Sequence, residues 1–189
     1  MGSDKALLTW RGETLLQALL NTARQACDRV VICGSRRLYD RYGEVVEDAE
    51  TGLGPLSGIH AALHATLTNL NLILSVDLPL MQTEFLLWLL QQARSAEHKI
   101  TATEALGNMQ PLCAVYKREV VEAVDLALAA RDLKVTRLFR RVATRIISED
   151  EIRTAGFNPM IFTNVNTPEE YDSLLRGPAA HLAAGMRHE

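Results

Sequence analysis

Leu70-Asn71-Leu72-Ile73-Leu74-Ser75-Val76-Asp77-Leu78-Pro79 stands near the middle of the chain. Residues 70–76 are apolar almost without a break, which is expected of a strand covered on both faces. Helical spacing surrounds it. Leu15, Leu19, Thr22 and Ala26 recur at helical intervals in residues 14–26, and residues 29–33 follow as a short β-rich run ending at Gly34. A second short strand centres on Val45-Val46. Residues 55–67 read as a helix entered through a glycine-rich turn, and residues 83–94 as another. Strands are expected at 99–103 and 112–116 around a loop at 104–110. Helices at 119–130 and 135–141, a strand at 145–148 and a last helix at 167–175 complete the pattern. Alternation of this kind predicts an α/β fold, a mostly parallel sheet with helices on both faces.

Composition narrows the class. The chain has 189 residues, enough for one α/β domain with a real core. The reading is therefore a single domain over residues 1–189, with a tail from about residue 176 that frays. A net charge of -3 gives no general attraction for nucleic acid, so an anionic substrate needs a local positive site. The longest purely apolar run, Phe85 to Leu90, is too short to span a bilayer, and the first residues do not form a signal peptide. Cys27, Cys33 and Cys113 are odd in number and widely spaced, so no disulfide or zinc framework is expected, and a reducing cytoplasm is the simplest location.

In open α/β sheets, ligands sit at the carboxyl ends of strands, and several informative residues lie there. Asp77 follows the buried run and precedes Pro79. A carboxylate at this point either holds a hard divalent cation, as magnesium takes one or two carboxylates, or caps a turn or the next helix. Asp48 ends Val45-Val46-Glu47 and leads toward Gly52-Leu53-Gly54-Pro55-Leu56-Ser57-Gly58. It can accept the N1–H and exocyclic amine of guanine, with the glycines admitting a ligand close to backbone, or the segment is a turn before a helix. Lys5 either neutralises phosphates or is simply solvated. Asn164 and Asn166 alternate on a presumed strand end and share a face, suited to a polar heterocycle or a phosphate, unless they only form a turn. Thr167-Pro168-Glu169-Glu170 is a capping box. Lys134, Arg137 and Arg141 share a helical face and read as a solvated basic surface. His60 and His64 stand four apart and read as surface or groove histidines, because no zinc-protease motif accompanies them.

Taken in order, these residues resemble the molybdenum cofactor guanylyltransferase family, often called MobA. That family opens with L-A-G-G-x-S-x-R-M-G-x-D-K-x-L-L, and this chain has Met1-Gly2-x-Asp4-Lys5-x-Leu7-Leu8, then Trp10-Arg11-Gly12-Glu13-Thr14-Leu15. Glu47-Asp48, Gly54-Pro55-Leu56-x-Gly58, Asp77-Leu78-Pro79 and Asn164-Val165-Asn166-Thr167-Pro168-Glu169-Glu170 follow in family order.

The resemblance implies a Rossmann-like nucleotidyltransferase (GT-A-type) three-layer sandwich. It also implies Mg2+, GTP and the molybdopterin cofactor as acceptor, with pyrophosphate leaving. Molybdoenzymes or cofactor chaperones would receive the product. By the same resemblance Lys5 and Asp77 are catalytic, and Lys5, Asp48 and Asp77 bind GTP. Asp77 holds the metal, and Asn164 and Asn166 lie near the acceptor. Cys33 falls where some members have an asparagine near the nucleotide. The first strand and L-A-G-G-x-S-x-R are not in the sequence, so the sheet is expected to carry an unpaired gap or a displaced neighbour and the chain to be a poor catalyst. The alternatives are cytidylyl or sugar-phosphate nucleotidyl transfer on the same fold, or a non-catalytic binding protein.

Overall fold

The computed structural model describes residues 4–47, 53–95, 97–165 and 170. A 3-10 turn at Lys5–Leu7 leads into a hairpin of β1 (Thr9–Trp10) and β2 (Glu13–Thr14), then α1 (Leu15–Ala26) and β3 (Ile32–Cys33). Next come α2 (Arg36–Tyr39), β4 (Val45–Val46), α3 (Pro55–His64), β5 (Leu70–Leu74) and α4 (Thr83–Ser95). The second half holds β6 (Ile100–Ala105), β7 (Asn108–Lys117), α5 (Val121–Ala129), α6 (Val135–Arg141), β8 (Thr144–Ile147) and α7 (Glu149–Thr154). The helix expected at 167–175 and its capping box lie outside the described residues.

The main sheet has the order β5-β7-β6-β8. β7 runs against both β5 and β6, while β6 and β8 are parallel, so β5, β6 and β8 share one direction. Side chains leave it in alternation, as strand geometry requires. Cys113 and Val115 of β7 face Phe85 and Leu89 of α4, with Leu19 of α1 and Ile152 of α7 on the same side. Ala114 and Tyr116 face Leu56 and Ile59 of α3, Val124 of α5 and Leu138 of α6. The molecule is thus the expected α/β sandwich of three layers. Local chemistry fixes the elements: Thr14 caps α1 by accepting from the Gln17 N–H at 3.1 Å. Residues 104–110, read as a loop, instead continue β6 and β7 to a turn at Leu106 (φ 52°) and Gly107 (φ 72°). Two successive positive φ values close a two-residue hairpin whose twist matches the strands.

The sheet is interrupted. β3 and β4 pair in parallel with each other and belong to a separate ladder from β5. Between β3 and β5 lies an apolar cleft of about 580 Å³, walled by Leu16 and Leu20 of α1, Ile32 of β3, Ile59 of α3, and Leu72 and Leu74 of β5. Among the described residues no strand pairs with that edge of β5. Residues 70–74, expected to be covered on both faces, are therefore all only half-buried.

Candidate functional site

The site is built at the carboxyl end of β5. After Leu74 the chain passes through Ser75 and Val76 to Asp77, whose carboxylate is 10% exposed. Asp77 does not cap the next helix, since α4 starts only at Thr83. Its carboxylate is held by side chains instead. Ser75 Oγ donates to Oδ1, and Lys5 Nζ donates to Oδ2 at 2.8 Å. Ser75 and Asp77 lie just past β5, in the turn that follows Leu74, and the hydrogen bond between them closes that turn. Lys5 arrives from the N-terminal turn. That turn is fixed by Asp4, which accepts from the Ala6 N–H at 3.0 Å with Oδ1 and from the Tyr39 hydroxyl at 2.5 Å with Oδ2. Burial, and then the hydrogen bond to the Asp4 carboxylate, push the Tyr39 phenol above its ordinary range. The Tyr39 ring also lies so close to Gly34 that a β-carbon there would fall 2.8 Å from it.

Lys5 and Asp77, singled out separately in the sequence, are therefore joined across the fold. Ser75 and Tyr39 were not singled out, and Asp4 entered only as part of the opening motif. No sequence signal links Asp4 to Tyr39, which meet only through the fold. Asn164 is exposed and lies on the same end: its neighbour Val165 donates its N–H to the Asp77 carbonyl at 3.0 Å and is buried with Trp10, Leu15 and Leu80. Residues 163–165 form no strand. They follow a 3-10 turn at Pro159–Phe162 that Asn158 caps, and the backbone bond to Asp77 takes the place of a ladder. Asn166 and Asp48 lie outside the described residues.

The glycine-rich entry to α3 is formed as the sequence predicts. Gly54 takes φ 71° at the N-cap, a conformation that favours glycine, and Pro55 opens the helix. Ser57 Oγ turns back to donate to the Gly54 carbonyl at 2.8 Å. Cys33, at the end of β3, packs beside Gly58 in the first turns of this helix. The basic residues of α6 are not simply solvated. Arg137 and Arg141 pair with the nearly buried carboxylate of Asp132 at 2.7 and 2.6 Å, which anchors the helix. His60 and His64 line a groove between α3 and α5, opposite Asp125.

The donors at Asp77 suit a hard cation. Magnesium takes oxygen ligands, often one or two carboxylates completed by phosphates and water. Asp77 and Ser75 present oxygens, and the group now holding Oδ2 is the ammonium of Lys5, 44% exposed on a flexible stem. A divalent ion can replace it there, releasing the lysine toward an anion.

An α/β sandwich with a lysine, a buried carboxylate and a glycine-led helix at strand ends is the framework of a nucleotidyltransferase. The sequence profile of the MobA-like NTP transferase domain matches residues 1–146, and the chain belongs to that family. It is 30% identical over 90% of its length to a probable molybdenum cofactor guanylyltransferase of Pelotomaculum thermopropionicum, covering 83% of that protein. The fold matches that of molybdopterin-guanine dinucleotide biosynthesis protein A from Archaeoglobus fulgidus at a TM-score of 0.79 and 21% identity, over 98% of this chain and 93% of the other. It also matches 2-C-methyl-D-erythritol 4-phosphate cytidylyltransferase from Thermus thermophilus at a TM-score of 0.67 and 16% identity, over 95% and 94% of the two chains. Among the described residues no helix is long and apolar enough to cross a membrane.

Proposed function

We propose that this enzyme transfers GMP from GTP to the molybdopterin cofactor, releasing pyrophosphate. The observation that carries this reading is the meeting of Lys5 and Asp77 at the carboxyl end of β5, in a chain whose relatives bear the guanylyltransferase name. An oxygen of the pterin's terminal phosphate attacks the α-phosphorus of GTP. The new P–O bond forms as the bond to the bridging oxygen breaks, and that oxygen leaves with the pyrophosphate. The nucleophile is already an anion, so no strong base is needed. Lys5 lies on the phosphates and offsets charge gathering on the leaving group. Asp77, with Ser75, would hold Mg2+, which when bound neutralises phosphate charge. Asp4 and Tyr39 keep the Lys5 turn in place. Asn164 and Asn166 orient the acceptor, and Asp48 reads guanine. The product then passes to molybdoenzymes or cofactor chaperones, and the work is done in the cytoplasm.

Cytidylyl transfer is the second reading, supported by the fold shared with a solved cytidylyltransferase. The two part at Asp48. A carboxylate accepts two parallel N–H donors of guanine, and cytosine has no such pair. Asp48→Asn sets an amide donor against a guanine donor and is expected to weaken GTP by about 2–4 kcal/mol. Calorimetry with GTP, ITP and CTP checks this, with ITP weaker than GTP on the unmutated protein. Unchanged GTP affinity in the variant, or a parent preference for CTP, would sink the guanine assignment.

A further inference from the structure

A second cluster lies between α3 and α5, in a groove whose lining contains neither Lys5 nor Asp77. His60 and His64 stand one helical turn apart on the same face, their ring centroids 4.4 Å apart. Asp125 reaches them from α5. Both imidazoles point Nε2 at the same oxygen, Asp125 Oδ1, at 3.1 Å from His60 and 2.9 Å from His64. One ligand atom from each of the three residues falls within 4.8 Å of the others. We infer that His60, His64 and Asp125 form a binding site for a zinc-like divalent transition-metal ion, separate from the oxygen site at Asp77.

Geometry and ligand chemistry both support this. Zinc bonds imidazole nitrogen at about 2.0–2.1 Å and carboxylate oxygen at about 2.0–2.2 Å, which sets neighbouring donors of a tetrahedral site roughly 3.3–3.5 Å apart. The observed nitrogen-to-oxygen separations are a few tenths of an ångström shorter, so an ion enters by a small outward shift of side chains. Two of these are exposed enough to move: His64 is 51% exposed and Asp125 43%. The donor set also selects the metal. Imidazole suits zinc and its neighbours, whereas magnesium prefers oxygen alone. Three protein donors leave a fourth position. It opens on a cavity of about 560 Å³ whose wall includes Leu53 and Ser57 from the entry to α3, and Arg131 beyond α5. Water or an anionic ligand can fill that position, as in open zinc sites. Bound metal ties α3 to α5.

Calorimetric titration of the tag-free protein with ZnCl2 tests the site, beside MgCl2 as control and against His60→Gln, His64→Gln and Asp125→Asn. The expected result is one zinc bound per chain, a melting temperature that rises with zinc but not magnesium, and at least a tenfold loss of zinc affinity in each variant. The half-exposed positions of His64 and Asp125 let those variants keep the parent's metal-free melting temperature. Cobalt substitution is expected to give visible ligand-field bands without thiolate charge transfer, which distinguishes this site from capture by a cysteine. Zinc affinity unchanged in all three variants, a thiolate band with cobalt, or no zinc binding by the parent would each overturn the assignment.

Discussion

Asp77→Asn keeps the shape of the side chain and removes its charge, so it separates a metal-holding carboxylate from a structural one. The bare attraction between Lys5 and Asp77 at 2.8 Å is about 6 kcal/mol at an effective dielectric of 20 and about 1.5 kcal/mol in water. Lys5 is 44% exposed, so the lower end applies, and ordering its long side chain offsets much of the rest, leaving a net of about 1 kcal/mol. The Ser75 hydroxyl still finds an amide oxygen in the variant, and the Asp77 carbonyl still accepts the Val165 N–H. The expected loss of folding stability is therefore about 1 kcal/mol, small against the roughly 5–15 kcal/mol of a typical domain. The functional loss is expected to be much larger. Without its charge the position holds magnesium and triphosphate poorly, and nucleotidyl transfer is expected to fall by about 100- to 1,000-fold. Urea denaturation reads the first quantity, and calorimetry with GTP at limiting magnesium, together with transfer, reads the second. A stability loss of about 3–5 kcal/mol, the range for breaking a buried pair, with magnesium-dependent GTP affinity unaltered would refute the reasoning and make Asp77 a structural residue.

Two further perturbations follow from the same framework. Among the described residues the edge of β5 that faces the apolar cleft has no strand partner, so adding an apolar strand and a glycine-rich turn ahead of Met1 is expected to raise both the melting temperature and the turnover. Equal turnover by the two forms would show that the cleft does not need a strand. Tyr39 is protonated in the fold over a wider range than when unfolded, because its pKa is raised by burial and then by Asp4. The associated stability is fully present below the unfolded pKa, near pH 10, and is lost as pH rises from there toward the higher folded value. Tyr39→Phe is expected to destabilise the protein by about 1 kcal/mol at neutral pH, discounted because the ring is partly exposed. It should also flatten the decline above pH 10 in a melting series, and an alkaline limb identical to the parent's would contradict the assignment.

Much of the layering was legible because local signals agree with the fold. The 3.6-residue spacing of α1 and the boundaries of α6 follow from apolar period alone. The turns were harder to read. Trp10-Arg11-Gly12-Glu13 closes the β1–β2 hairpin with Arg11 at φ 50° and Gly12 at φ 90°, but a strand of two residues is too short to show alternation. The β6–β7 hairpin was hidden by Leu106, a residue that rarely takes positive φ. α7 was missed although its signal was present. Ser148 and Glu151 form a capping box, with Ser148 accepting from the Glu151 N–H and Glu151 accepting from the Ser148 N–H at 2.9 Å. In the site, Asp77 stood out by its place after the apolar run, whereas Lys5 was marked only by the family resemblance of the residues around it. Asp125 did not, since nothing local marks a carboxylate that meets two histidines across a helix pair. The half-burial of β5 had no local sign either, because it depends on what lies beside the strand rather than within it.

Product analysis reads the transfer of a guanylyl group without an intermediary. The protein, with and without the added strand, is incubated with magnesium, molybdopterin cofactor and equimolar GTP and CTP. The dinucleotides are resolved by mass spectrometry, and pyrophosphate is counted. The guanine dinucleotide is expected in large excess over the cytosine one, with one pyrophosphate released per dinucleotide and the greater yield from the extended form. A cytosine product in excess, or nucleotide bound by both forms with no dinucleotide made, would contradict it.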